Sequence, residues 1–103
     1  MLKLSQIIGF DWDKGNTYKN WVKHKIKNEE CEQIFFNKPL IIYPDLKHSE
    51  KEKRSYALGR TIENKLLFVV FSIRKKKIRI ISARKMNKKE QKIYEQNKKN
   101  SKI

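Results

Sequence analysis

The chain has one cysteine, Cys31, among 103 residues, so no internal disulfide can form. A lone thiol fits a reducing compartment and the role of a small apolar filler in a helix. The three glycines, at positions 9, 15 and 59, are too scattered to make a phosphate-cradling loop. Two histidines, His24 and His48, and dispersed carboxylates match no zinc or calcium spacing. Long apolar runs are missing too. The longest uncharged one, Leu66 to Phe71, is far short of a bilayer span, and the first nine residues lack the apolar length of a signal peptide. The expectation is a soluble, cytoplasmic protein that uses no metal and no cofactor and associates with no membrane.

Acidic residues are the other shortage. Lys and Arg number 26 against 11 Asp and Glu, a formal charge of +15. Positions 65–103 hold fourteen of those cations and only two acids, Glu90 and Glu95. Such asymmetry points to a polyanionic partner, either nucleic acid or an acidic protein. Hydrophobic residues make up 38% of the chain but are gathered into short runs, which argues for one small folded domain over 1–103 with its core at about 7–95 and a frayed basic tail at 96–103.

Periodicity supplies the elements. Residues 7–12 read as a short first strand, and Asp13 as the N-cap of a helix over about 14–25 with Tyr18, Trp21 and Val22 on its inner face. Asn28 caps a second helix, in which Cys31, Ile34 and Phe35 make one apolar stripe. Trp12, Trp21, Phe35 and Phe36 look like core. Strands follow at 40–43 and 54–61, where Gly59 marks a bulge or a close backbone approach. Glu63-Asn64 is a hairpin turn, and 66–73, the most apolar run, belongs near the middle of the sheet. A charged turn at Arg74-Lys75-Lys76-Lys77 leads into a strand over 78–84. Asn87 and Glu90 resemble a capping box opening a helix over about 88–98. The fold class is α+β: two N-terminal helices on a small antiparallel sheet of three to four strands, plus a basic C-terminal helix.

Within the last strand, Ile78-Arg-Ile-Ile-Ser-Ala-Arg84, two arginines stand among β-branched residues. Either they are outward-pointing surface groups, or they are rigid forks matched to phosphate. Strict alternation puts Arg79 and Arg84 on opposite faces, so they share one only if the strand bulges or ends near Ser82. His24 is a helix-end cation or a general acid or base. Glu52 and Arg54 alternate onto one face as an ion pair or a functional pair. The Arg74–Lys77 turn is a solvated hairpin or a track for a phosphate backbone.

The ordered residues are sharper than the composition. Phe10-x-Trp12-Asp13, Asn20-x-x-Lys23-His24, Glu29-Glu30-x-x-x-Ile34-Phe35, Ser49-x-x-Glu52-x-Arg54, Gly59, the 66–70 strand, Ile78-Arg-Ile-Ile-Ser-Ala-Arg84, Glu90 and Tyr94 together closely resemble the BrnT family of bacterial toxins. The resemblance covers roughly residues 10–95. This chain departs from the pattern at Lys25, where the family usually has Gly, at Lys14-Gly15-Asn16 in place of Pro-x-Lys, and at Met86 in place of Ala.

The resemblance implies a RelE-like fold and an endoribonuclease that halts translation. It also implies a BrnA-like ribbon-helix-helix antitoxin as partner, in a heterotetramer with two copies of each chain. On that basis the expected mechanism is metal-independent attack of a ribose 2′-hydroxyl on its phosphate. Arg54, Arg79 and Arg84 would be phosphate clamps, His24 base or acid with Lys23 beside it, and Glu52 the alternative base. Arg74, Lys75, Lys76, Lys77 and Lys85 would grip the RNA. The competing expectation is a non-catalytic basic module that serves a DNA-binding antitoxin.

Overall fold

The computed structural model describes residues 6–48 and 53–100. In chain order the elements are β1 (Gly9–Phe10), α1 (Lys19–His24), α2 (Asn28–Gln33), a 3-10 turn at Ile34–Phe36, β2 (Ile41–Pro44), a second 3-10 turn at Leu46–His48, β3 (Arg54–Arg60), β4 (Leu66–Arg74), β5 (Lys77–Lys85) and α3 (Lys88–Asn100). Five strands form one sheet in the order β1-β5-β4-β3-β2. The class is α+β as expected, but the sheet is mixed and larger than three or four antiparallel strands. β2 to β5 are antiparallel, whereas β1 runs parallel to β5 through Gly9↔Lys77 and Phe10↔Ile78. The most apolar strand, β4, does lie at the centre.

One face of the sheet builds the main core. Ala57 of β3, Leu67, Val69 and Phe71 of β4, and Ile78, Ile80 and Ala83 of β5 meet Ile26, Cys31, Ile34 and Phe35. The stripe at 31, 34 and 35 therefore packs as its spacing predicts. Burial, then the acids Glu30 and Glu32 beside it, push the Cys31 thiol up to about 12, so it remains an uncharged apolar filler. Gly59 is a close approach: a Cβ there would lie 2.8 Å from the Ile34 Cβ. The opposite face is covered at one end by α3, whose Tyr94 packs with Leu58 and Met86 and donates its hydroxyl to the Pro39 carbonyl at 2.7 Å. Asn87 and Glu90 close the expected capping box, with each side chain accepting the other's backbone N–H at 2.8 and 2.9 Å.

The first helix departs most from expectation. It covers only 19–24, after a turn over 14–18, and its side facing the sheet is polar. Asn16 and Asn20 are buried, while Tyr18, Trp21 and Val22 are 72%, 46% and 68% exposed. Phe36 is likewise exposed and Trp12 only half-buried, its indole N–H donating to Glu32 at 2.7 Å. The reversal has a physical cause. β1 pairs with β5 only at its start, leaving the edge of residues 80–83 that faces away from β4 without a neighbouring strand, and buried peptide groups need partners. The Asn16 amide donates to the Ile80 carbonyl at 3.0 Å, Lys19 to the Ile81 carbonyl at 3.2 Å, and Asn20 accepts from the Ala83 N–H at 2.9 Å. Helical spacing i, i+4 brings both asparagines to the strand. Asp13 caps the 14–18 turn, accepting from Gly15 N–H, rather than α1 itself.

Two turns hold non-glycine residues in the left-handed region. Lys25 (φ 56°) ends α1 in the left-handed position where a helix favours glycine, so this lysine holds the geometry at some steric cost. Lys75 and Lys76 (φ 49° and 65°) form the two-residue turn between β4 and β5, a type I′ geometry favouring Asn-Gly. Each lysine there carries steric cost against its Cβ. Replacing both, Lys75→Asn with Lys76→Gly, should stabilise the fold by about 1 kcal/mol and raise the thermal midpoint by about 4–8 °C. Circular dichroism melting checks this.

Candidate active site

The register of β5 against β4 slips by one residue. Val70 pairs with Ser82 and Phe71 with Ile80, leaving Ile81 as the bulge. Directly opposed residues point to the same side of a sheet, and Ser72↔Arg79 and Phe68↔Arg84 are both opposed pairs on one side of β4. The bulge therefore puts Arg79 and Arg84 on a single face, the one opposite the main core. β3 adds Arg54, opposite Ser72, and Tyr56, opposite Val70. At roughly 4.8 Å per strand, Arg54 and Arg79 stand about 10 Å apart by Cα with Ser72 between them. The Ser72 hydroxyl is buried there with no hydrogen-bond partner.

Both β5 arginines are held by carboxylates of the same chain. Arg79 forks onto Asp13, with its two terminal nitrogens each 3.0 Å from one carboxylate oxygen, and lies 3.5 Å from Asp11. The Arg79 fork, then the Gly15 N–H, draw the Asp13 carboxyl below its ordinary value. Arg84 forks onto Glu90 at 2.8 Å through both nitrogens and lies over the Phe68 ring, 4.2 Å from its centroid. Beside it Tyr43, Tyr56 and Phe68 form a ring series with centroid spacings of 5.0 and 5.1 Å. Burial, then the Asp45 carboxylate, push the Tyr56 phenol above its ordinary value.

The other expected residues scatter. Lys23 and His24 are exposed in the last turn of α1. His24 lies four positions beyond Asn20, so helical spacing places it on the sheet-facing side of α1, towards the end of β5 that carries Arg84. Arg74, Lys75, Lys76 and Lys77 line the exposed β4–β5 tip next to Arg79, and Lys85 is exposed at the other end of β5. Glu52 and Ser49 lie outside the described residues. Among the described residues no three His, Cys, Asp or Glu side chains are grouped to hold a metal ion. Sequence reading missed Asn16, Tyr56 and the acidic partners of the arginines. Asp13 was read as a helix cap and as part of the Phe10-x-Trp12-Asp13 motif, and nothing local ties it to a strand 66 positions away.

The chain is thus a small basic α+β domain whose sheet presents arginine and tyrosine side chains on one face. The comparison with known families says which kind. The sequence model for BrnT, the ribonuclease toxin of a type II toxin–antitoxin system, matches residues 12–90, and the chain belongs to that family. A comparison with individually curated proteins finds no match.

Burial works against ionising Glu90, but the Arg84 fork and the Asn87 N–H outweigh it and leave its pKa below the ordinary 4.5. A lowered carboxylate pKa contributes stability above the unfolded value, and that contribution is lost as pH falls through the folded one. Glu90→Gln keeps the cap but not the charge, so it should be less stable than the parent at neutral pH and converge with it in strong acid. Denaturation midpoints measured from pH 7 downwards check this.

Proposed function

We propose that this toxin is a metal-independent endoribonuclease whose active face is the open side of the sheet carrying Arg54, Arg79 and Arg84, and that it arrests translation in the cytoplasm by cutting RNA. The observation that carries the reading is the Ile81 bulge, which turns both β5 arginines towards Arg54 on one surface, in a chain of a ribonuclease toxin family. Cleavage needs a base for the 2′-hydroxyl, cations for the pentacoordinate phosphate and an acid for the leaving oxygen. The 2′-oxygen bonds to phosphorus as its proton passes to the base. The bond to the 5′-oxygen breaks, and the acid protonates that oxygen.

Arg54 and Arg79, with the unpartnered Ser72 hydroxyl between them, are the nearest set for the scissile phosphate. Arg84 lies some 14 Å further along the strand by its residue rise, which suits a neighbouring phosphate rather than the same one. RNA phosphate displaces Asp13 from Arg79 on binding. His24 is the base or acid, with Lys23 as electrostatic support, and Glu52 is the alternative base. Arg74 to Lys77 hold the backbone at the β4–β5 tip, while Lys85, opposed to Leu67 on the core side of the sheet, can reach it only around the end of β5. The antitoxin is a BrnA-like ribbon-helix-helix protein in a complex of two copies each, and the fold is of the RelE kind, as the resemblance implies.

One observation favours the rival reading of a non-catalytic binding module: both β5 guanidinium groups are already filled by carboxylates. Naked RNA incubated with the antitoxin-free chain in EDTA separates the two. The parent should leave 2′,3′-cyclic phosphate ends, and Arg79→Ala should lose about 10²–10³ in rate, by analogy with removal of an oxyanion donor. Full activity in both Arg79→Ala and Arg84→Ala would discard the clamp assignment. RNA left intact by the parent, even with ribosomes added, would favour the binding module. The stabilised Lys75→Asn/Lys76→Gly variant should bind RNA more weakly, with a log K against log salt slope shallower by about 1.4 for two lost single-strand phosphate contacts.

A further inference from the structure

The outward side of α1 carries a stripe that the domain itself does not use. Tyr18, Trp21 and Val22 recur at i, i+3 and i+4, with Lys25 at i+7, and all four face solvent. This is the ordinary core-facing pattern of an amphipathic helix, yet Asn16 and Asn20 take the inward side to complete the backbone bonding of β5. A contiguous exposed patch of large apolar side chains marks an interaction surface more often than a solvent face. Its chemistry is cationic: α1 has no acid in its first turn and Lys23 and His24 in its last, with Lys19 beside them. The Lys25 ammonium lies 5.2 Å from the Trp21 ring centre, which presents positive charge at the rim of the apolar strip.

We propose that this stripe is the seat of the antitoxin, and that the antitoxin element seated there is an amphipathic segment with apolar anchors and flanking Asp or Glu. The proposal rests on membership of a toxin–antitoxin family and not on the ribonuclease mechanism. Charge selects the occupant, because acidic flanks meet Lys23 and Lys25 while an apolar face meets Tyr18, Trp21 and Val22. The aliphatic Val22, 68% exposed in the middle of the stripe, suits packing against a protein side chain better than stacking on a nucleobase.

The test is calorimetric titration of the toxin with the polypeptide encoded in the reading frame beside its own gene. Trp21→Ala and Val22→Lys should each weaken binding by about 30-fold or more, as loss of an interface anchor does. Phe36→Ala, at an exposed aromatic on a different surface, should change affinity less than about twofold, as rim or uninvolved positions do. Both stripe positions face solvent, so melting curves should match the parent and confirm that the variants fold.

Parent-like affinity in both stripe variants overturns the proposal. So does a loss confined to RNA affinity, which makes the stripe a stacking surface. So does a parent that dimerises alone and becomes monomeric as Val22→Lys, which makes the occupant a second copy. Naked-RNA cleavage by the antitoxin-free variants should stay at the parent rate. A failed docking result therefore leaves the ribonuclease reading intact, and an inactive parent that still loses antitoxin affinity on Trp21→Ala refutes only the enzyme.

Discussion

One residue without a cross-strand partner, Ile81, sets the chemistry of the whole surface. Without that bulge, alternation would send one of the two arginines of β5 into the main core, where a guanidinium is costly to bury. With it, hydrophobic Ile78, Ile80 and Ala83 stay on the core side and Arg79 and Arg84 reach the opposite face. A bulge disrupts the ladder locally, and this one lies where β1 has already ended. Asn16, Lys19 and Asn20 meet the backbone groups there. The polar underside of α1 and the arginine-bearing face of the sheet are thus one arrangement seen from two sides.

Carboxylates define the resting state of that face. Asp13 belongs to the turn before α1 and Glu90 to the first turn of α3, so each arginine ties a different flanking segment to β5. Glu90 also accepts the Asn87 N–H, so the same side chain closes the helix cap and orients the guanidinium above Phe68. These guanidinium groups are thereby kept in defined rotamers and shielded from one another in a chain with a large positive excess.

Much of this was legible from the residues. The continuous apolar run of β4, the turn signals at Asn64 and at 74–77, the 31/34/35 stripe and the Asn87–Glu90 box all act through local geometry, and local geometry is what a sequence displays. The reading failed where tertiary bonding outweighs pattern. Tyr18, Trp21 and Val22 have the spacing of a buried face, but the groups that needed burial on that side were peptide N–H and C=O, and asparagine answers them better than valine. Strand parity exposed the question about Arg79 and Arg84 and stated its solution in advance, but only the pairing of β4 with β5 could supply the bulge. A first strand was expected at 7–12, but its parallel pairing with β5 was missed, because two residues of strand leave no trace of their partner. The arginine partners were missed because an ion pair between positions 13 and 79 leaves no local trace.

That last separation bears on when the surface comes into being. β3, β4 and β5 form a meander of consecutive hairpins, whose contacts are close in sequence and quick to form. The segment holding Asp11, Asp13, Asn16 and Asn20 is made first but can dock only on β5, more than 60 positions later. On a chain growing from its N-terminus, the edge that settles Arg79 can close only once β5 has emerged, and Arg84 waits longer still for Glu90 of α3. A nascent copy therefore lacks the finished arginine-bearing face until nearly all of its chain has emerged.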